Sequence, residues 1–268
     1  MHHPGDIHLP QRIICTTTES VDILYRLGAG DLIVGVSGFT TRPPEARRKP
    51  KIGAYTSINL EKIVALQPDL VVAFSDLQAD ITHDLVAAGL TVFTLNQRSL
   101  RGILEAILML GALIGRSEGA QQLVDEMSTE MEDIRQAGKG LAKHPRVYFE
   151  EWHEPLITGI AWVGELIELA GGIDIFPELK GNSAKERVVS ADEVLRRNPD
   201  LIVASWCGKK VNKQAIRARP GWEAMAAIQH KQVHEIKSVD ILQPGPAVLG
   251  GLRLLQGMVS GAAQETNG

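Results

Sequence analysis

The segment NLEKIVALQPDLVVAF, residues 59–74, comes back later in the chain as SADEVLRRNPDLIVAS, residues 190–205. Each copy starts with a small polar residue, has an acid two positions on, and closes on Pro-Asp-Leu and a short aliphatic run. A polar first residue caps a helix, a proline follows its last turn, and an unbroken aliphatic run is typical of a strand buried on both faces. Each copy therefore predicts a helix followed by a buried strand, and the repetition predicts two similar α/β lobes.

Strand and helix patterns alternate on both sides of the repeated unit. In the first half the predicted strands are residues 12–15, 32–39, 70–74 and 91–95, with helices at 21–28, 80–88 and 99–115. In the second half, strands RVYFE, LIVAS and 232–236 alternate with helices at 162–170, at the second copy and after Pro246. Alternation at this spacing predicts βαβ units around a parallel sheet in each half.

Between the two halves, residues 117–138 have a different pattern. A thin apolar stripe recurs there at spacings of three and four, at Ala120, Leu123, Met127, Met131 and Ile134. Such a stripe predicts one helix of about 30–38 Å, long enough to pass from one lobe to the other. The predicted fold is α/β, with two Rossmann-like lobes (1–116 and 144–268) containing parallel sheets and joined by one backbone helix within 117–143.

Composition excludes several classes of protein. The 268 residues are 44% hydrophobic and 22% charged, with a net charge of −4, as in an ordinary globular protein. This charge supplies no sustained positive field for general nucleic-acid binding. The longest apolar run, residues 107–115, is too short to span a membrane. No dinucleotide-binding glycine motif, P-loop or nucleophile elbow is present, so the sequence predicts no enzyme and no resident cofactor.

The first residues and the two cysteines bear on location. MHHPGDIHLPQRIIC has neither an apolar central region nor a small-residue cleavage site, so the sequence predicts no signal peptide. A cytoplasmic location is therefore one alternative. Cys15 and Cys207 each end a predicted strand and are expected to be small buried side chains. The other possibility is a disulfide between them, which would lock the lobes together.

Several segments carry a resemblance to a known family. They are GVSGFTTRPPEA, INLEKIVALQPDLVVAF, EEWHEPLITG, ELIELAGGIDIF, VVSADEVLRRNPDLIVAS and QPGP. From residue 12 to the final helix, the chain resembles the substrate-binding proteins of ABC importers for cobalamin, haem and ferric siderophores, and the cobalamin-binding proteins in particular. The resemblance implies the class III periplasmic binding protein fold, a monomer, and a periplasmic location.

The same resemblance implies a function and a partner. Such a protein captures a cobalamin-like corrinoid in the cleft between its lobes and delivers it to an ABC transporter permease. In the family, acids at the two repeated helix starts dock onto arginines of the permease, and these roles fall to Glu61 and Asp192. The family's opening turn is matched imperfectly by TTESVD, where Asp22 takes the place of the acid.

Aromatic residues mark the expected ligand site. Ligands of parallel α/β sheets bind outside the carboxyl ends of the strands. Phe39 and Phe74 end predicted strands, Tyr55 precedes the first repeated helix, and Trp152 and Trp206 follow strands of the second lobe. Together with Gln243 of QPGP, these form the predicted ligand-binding set, with no dedicated metal site. Phe39 and Phe74 have core packing as an alternative, whereas Tyr55 and Trp206 are expected to be exposed.

Other residues keep other ligands and activities open. The basic segments RPPEARRKPK and GKKVNKQAIRAR suit an anionic ligand, such as haem or a ferric siderophore, or are solvated loops. The acids and His153 of EEWHEP are candidates for metal binding or acid–base chemistry, as in a cytosolic tetrapyrrole-handling enzyme such as a chelatase. His153 is a candidate axial ligand for haem iron or cobalt, or a hydrogen-bonded loop histidine.

Overall fold

The computed structural model describes residues 8–265, so the first seven residues of the N-terminal segment predicted to lack a signal peptide lie outside the described range. The chain divides into two compact units. The first comprises Met1–Gln97 with Arg101–Glu126, and the second Arg98–Leu100 with Met127–Gly268. Within the described residues, no helix is both long enough and apolar enough to cross a membrane.

The first unit is built on a fully parallel sheet. Its strands are β1 (Ile13–Cys15), β2 (Ile33–Val36), β3 (Leu70–Phe74) and β4 (Val92–Leu95), in the order β2-β1-β3-β4. All four carboxyl ends therefore lie at one edge of the sheet. Below them, Ile14, Ile63 and Leu85 belong to a core cluster of fully buried side chains. This arrangement confirms the predicted parallel sheet.

The helices of the first half follow the strands in sequence. They are α1 (Thr18–Arg26), α2 (Leu60–Ala65), α3 (Ala79–Ala87), α4 (Leu100–Leu113) and α5 (Ser117–Lys139). Helix α5 confirms the predicted long helix almost residue for residue. The boundary between the two units falls inside it, after Glu126. The division of the chain into lobes at residues 116 and 143 stays a prediction.

The second unit contains a mixed sheet. Its strands are β5 (Arg146–His153), β6 (Leu156–Thr158), β7 (Ile173–Asp174), β8 (Leu201–Ala204) and β9 (Val233–Glu235). The order is β6-β5-β8-β9, with β7 also paired to β5. Every pairing is parallel except that of β5 with β6. The sheet is therefore mostly parallel, as predicted, and its one antiparallel pairing arises because the chain reverses at Glu154-Pro155 and pairs back on β5.

The helices of the second unit are α6 (Ala161–Leu169), α7 (Ala191–Arg197), α8 (Lys213–Arg217), α9 (Ala226–Gln229), α10 (Ser238–Ile241) and α11 (Val248–Glu265). The end of α5 packs closely against the turn that follows α6. A Cβ on Gly171, which has a φ of +86°, would lie 2.6 Å from the carbonyl oxygen of Gly138. Only glycine allows both the backbone conformation and the close approach.

The repeated unit has the same structural role in both units. The side chains of Asn59 and Ser190 cap α2 and α7, accepting hydrogen bonds from backbone N–H groups three residues on. The aspartate of each Pro-Asp-Leu then fixes the start of the neighbouring strand. Asp69 accepts from the backbone N of Arg12 at 2.9 Å, and Asp200 from that of Arg146 at 2.8 Å. Each copy therefore joins a helix to two adjacent parallel strands.

Candidate functional site

An open cavity lies at the carboxyl end of the first sheet, beside β2. The chain leaving β2 pairs with the segment before α2, since Ile52 N donates to Val36 O at 3.0 Å and Gly38 N to Gly53 O at 2.8 Å. The cavity of about 520 Å³ is lined by Gly38, Phe39, Lys51, Ile52, Gly53, Ala54, Asn59 and Lys62. The Phe39 side chain is 60% exposed. It is therefore available for contact and is not core, the alternative left open by the sequence.

Tyr55 lies in a tight turn on the rim of the same edge. The turn closes through a hydrogen bond from Ala54 N to Ser57 O at 2.7 Å and a bridge between Gly53 and Ile58. Gly53 has a φ of +133°, and a Cβ there would lie 2.4 Å from Ser57 O. Tyr55 is half-buried, so the expectation of an exposed ring is met only in part.

Phe74, the last residue of β3, is only 4% exposed. Strand β3 lies inside the sheet between β1 and β4, so its side chains are covered on both faces. Its backbone N donates to the side-chain oxygen of Gln78 at 2.9 Å. The structure therefore places Phe74 with the core, and a direct contact with a ligand stays a prediction.

A buried acid at the start of α1 was missed by sequence reasoning. Burial raises the pKa of the Glu19 carboxyl, and hydrogen bonds from Thr17 and Thr18 oppose this rise in part. Nearby, burial raises the pKa of the Cys15 thiol to about 12. Cys15 is thus the inert buried side chain that was expected. The acid and hydroxyls of TTES were visible in the sequence, but their burial depends on packing between distant segments.

The raised pKa of Glu19 predicts how stability changes with pH. The folded protein retains this proton at pH values where the unfolded chain, with a pKa of about 4.3, has lost it. The stabilisation of the fold by this retained proton is therefore complete below about pH 4.3, and it is lost as pH rises through the folded-state pKa. Glu19→Gln is expected to remove the loss and raise the free energy of unfolding at pH 8 by roughly 1–3 kcal/mol. Urea denaturation from pH 4 to pH 8 measures this, and a constant difference across that range would contradict it.

In the second unit, the carboxylate of Glu150 lies at the centre of a buried network. Glu150 is 0% exposed, and Arg219 binds it through both Nη atoms, at 2.9 Å for the contact of Nη2 with Oε1. The indole Nε1 of Trp206 donates to the same Oε1 at 3.1 Å. The Arg219 guanidinium also lies 4.6 Å from the ring centre of Trp222. Glu150 thereby holds the segment between β8 and α9 against β5.

The neighbouring acid, Glu151, is also engaged. Arg187, 2% exposed, binds both of its carboxylate oxygens, at 2.6 Å and 3.1 Å, and donates to the carbonyl of Thr158 on β6. The two adjacent acids of EEWHEP therefore have structural partners. Across residues 8–265, no group of three or more His, Cys, Asp or Glu side chains is arranged to hold a metal ion.

Three rings gather at the end of β5. The imidazole of His153 stacks on Trp206 with 4.2 Å between ring centres, and the ring of Trp152 lies 5.0 Å from His153. The ammonium of Lys209 lies 4.7 Å from the ring centre of Trp152. Trp206 is only 6% exposed. The expectation of an exposed Trp206 was wrong, because the stack and the bond to Glu150 draw it into the core.

The remaining sequence expectations have mixed outcomes. Both cysteines are free thiols, Cys15 buried and Cys207 exposed. The expectation of a buried Cys207 and the alternative of a disulfide between the two were therefore wrong. Strand β8 ends at Ala204, which leaves Cys207 in the following turn.

Gln243 is half-buried in the turn before α11, and its carbonyl accepts from Gly245 N at 2.8 Å. Its role in ligand binding stays a prediction.

The two acids predicted to dock on the permease lie in matching positions of their units. Glu61 and Asp192 are exposed in the first turns of α2 and α7. Among the described residues, neither forms an ion pair. In contrast, Glu193, next to Asp192, is bound by Arg196 and Arg197 at 2.6 Å, which lowers its pKa. Glu61 and Asp192 are thus available to a partner, and docking itself stays a prediction.

Comparison with known proteins adds to this geometry. Residues 13–239 match the family model described as periplasmic binding protein. The chain is 30% identical over 256 residues to the uncharacterized ABC transporter substrate-binding lipoprotein YvrC of Bacillus subtilis, covering 92% of this chain and 79% of that protein. It is 32% identical over 199 residues to a vitamin B12-binding protein of Vibrio campbellii, covering 73% and 70%. The solved structure of the periplasmic heme-binding protein RhuT from Roseiflexus sp. RS-1 is similar with a TM-score of 0.82 at 21% identity, covering 94% and 99%.

Proposed function

The chain belongs to the periplasmic binding protein family, and on that premise we propose that it captures a cobalamin-like corrinoid for an ABC importer. Its two α/β units have the class III periplasmic binding protein fold. It is an ABC transporter substrate-binding protein of the type that serves cobalamin, haem and siderophores. The choice of a corrinoid within this type is the proposal.

The difference between likeness in sequence and likeness in fold supports a corrinoid. The vitamin B12-binding relative is similar at the level of sequence, at 32% identity. The heme-binding structure has 21% identity and is evidence for the fold alone. Likeness in sequence is the more selective support, because a shared fold hosts many ligands.

The observation that carries the proposal is the exposed Phe39 ring on the largely apolar wall of the cavity. A large ring left mostly in water gains free energy when another apolar surface covers it, about 25 cal/mol for each Å² removed from water. Ala54 of the same wall, with the neighbouring Tyr55 turn, supplies more apolar and aromatic surface. A broad macrocycle that carries methyl groups on its ring is suited to such a wall, because rigid aromatic side chains lose little conformational entropy on binding.

The same fold supports a partner and a location. We propose that Glu61 and Asp192 contact cationic side chains of the permease, and that Trp152 and Gln243 of the second unit also contact the ligand.

One relative is a lipoprotein by name, and the similar solved structure is of a periplasmic protein. We propose accordingly that this chain works outside the cytoplasmic membrane.

Equilibrium titration tests the ligand directly. Purified protein is titrated with cyanocobalamin, haemin and a ferric hydroxamate siderophore in separate calorimetric experiments. Saturable binding of cyanocobalamin, at least tenfold tighter than the other two, is the expected result. Tighter binding of haemin or the siderophore would overturn the corrinoid as the proposed ligand, but the protein would still be a substrate-binding protein for transport. Catalytic insertion of metal into a porphyrin would instead support the chelatase alternative, although Arg219 and Arg187 already bind Glu150 and Glu151, two of the acids named for it.

Replacing Phe39 tests the cavity wall. Phe39→Ala is expected to weaken cyanocobalamin binding by about tenfold or more, because covering a phenyl ring is worth about 1.5–3 kcal/mol and 1.4 kcal/mol is a factor of ten. Val86→Ala is the matched control, since Val86 is 56% exposed on α3 and is not part of the cavity lining. Calorimetry on both variants gives the comparison. Equal affinities for the two variants would remove Phe39 from the site.

A further inference from the structure

One fully buried amide connects three parts of the first unit. The side chain of Gln78 is 0% exposed. Its Oε1 accepts from the hydroxyl of Thr16 at 2.7 Å and from the backbone N of Phe74 at 2.9 Å. Its Nε2 donates to the backbone carbonyl of Tyr55 at 2.7 Å. The amide therefore joins the ends of β1 and β3 to the turn that carries Tyr55.

The backbone before Gln78 adopts an unusual conformation to bring it there. Ser75 has a φ of +63° and a ψ of 171°, which non-glycine residues rarely adopt. This conformation turns the chain sharply after β3. The hydroxyl of Ser75 then accepts from Leu77 N, and its carbonyl accepts from Gln78 N at 3.1 Å. The short 3-10 turn Asp76–Gln78 thus returns the side chain to the ends of the strands.

The turn that Gln78 holds is also fixed at its other side. Gly53 pairs with Ile58 and accepts from Gly38 N, which connects the turn to the segment that leaves β2. Gln78 contacts the opposite side, at the Tyr55 carbonyl. The Tyr55 backbone is thereby held between the Phe39 wall and the β3 end, before any ligand binds.

We infer that Gln78 is a positioning residue, which acts on the ligand through Tyr55 by holding the turn of residues 53–58 in its binding conformation. This inference rests on the proposed function, because it takes Tyr55 as a ligand contact. A ligand then meets a ring that is already ordered, and binding does not have to supply the entropy of ordering the turn. Gln78 itself is fully buried and supports the site from behind.

Two variants separate this role from general support of the fold. Gln78→Met has a similar volume but cannot donate to Tyr55 or accept from Phe74 N. Thr16→Val removes one bond to the same amide without touching Tyr55, and it is the matched control. If Gln78→Met does not fold, Gln78→Asn replaces it, since it retains the amide on a side chain too short to reach all three partners.

Hydrogen exchange tests the inference without any ligand. Exchange of the backbone amides of residues 54–58 is expected to accelerate by about tenfold or more in Gln78→Met, as a local opening becomes easier. In Thr16→Val it should stay within about twofold of the wild type. Unchanged exchange in Gln78→Met, or equal acceleration in both variants, would overturn the inference.

A double-variant cycle then tests whether the effect on binding passes through Tyr55. Gln78→Met should weaken cyanocobalamin binding by about tenfold in the wild type but by less than about twofold in a Tyr55→Ala background. Equal losses in both backgrounds, or full affinity in Tyr55→Ala, would show that Gln78 does not act through Tyr55. If the wild type does not bind cyanocobalamin, the proposed ligand fails, and the exchange experiment alone decides the role of Gln78.

Discussion

Replacing Arg219 with methionine is expected to lower the free energy of unfolding by about 3 kcal/mol. Removing one partner of a buried ion pair leaves an uncompensated charge and typically costs about 3–5 kcal/mol. The lower value applies because the Arg219 side chain is 17% exposed, although its partner Glu150 is 0% exposed. The variant also loses the contact of the guanidinium with the Trp222 ring. Urea denaturation at pH 7 measures the difference.

The control and a second variant identify the cause of this loss. Arg217→Met changes an exposed arginine at the end of α8, two positions away, and should stay within about 0.5 kcal/mol of the wild type. Adding Glu150→Gln to Arg219→Met removes the unpaired charge and should recover part of the loss. Were the double variant no more stable than Arg219→Met, the cost would come from packing against Trp222 and not from the buried carboxylate.

The architecture was predictable because its causes are local. A capping residue, a proline after the last turn and an aliphatic run are all read within the sixteen residues of each repeated copy. Even the aspartates of Pro-Asp-Leu were visible, although their bonds to Arg12 N and Arg146 N were not. The long helix was predictable for the same reason, since its apolar stripe recurs within each turn.

The candidate site was less predictable because its contacts join distant residues. Glu150 and Arg219 are 69 positions apart, and Gln78 reaches back 62 positions to Thr16. No local pattern indicates such pairs. The same contacts explain why Trp206 is buried, where its place after a strand suggested exposure. The ring of Phe39 differs from that of Phe74 for a topological reason, since β3 lies inside the sheet while Phe39 follows the edge strand β2.

Reversing the two exposed acids is expected to stop delivery without affecting capture. The double variant Glu61→Lys and Asp192→Lys should reduce corrinoid uptake at least tenfold in cells whose growth depends on this chain and its importer. The proposed docking places both positions opposite cationic side chains of the permease. Like charges opposite each other across an interface cost several kcal/mol. Affinity for cyanocobalamin, measured by calorimetry on the purified variant, should change by less than about twofold.

A control for the change of charge itself is available in the same chain. Glu118→Lys also reverses an exposed acid in the first turn of a helix, α5, and carries the same unfavourable interaction with the helix dipole, about 0.3–1 kcal/mol. It should leave uptake near the wild-type level, because Glu118 is not at one of the two matched helix starts. Each single variant, Glu61→Lys or Asp192→Lys, has the same change in net charge as this control and should lower uptake below it. Normal uptake by the double variant would mean that the matched helix starts serve folding alone. Equal loss in Glu118→Lys would trace the defect to net charge. Loss confined to the double variant would give the repeated unit its second role, presenting one unpaired carboxylate from each unit to the importer.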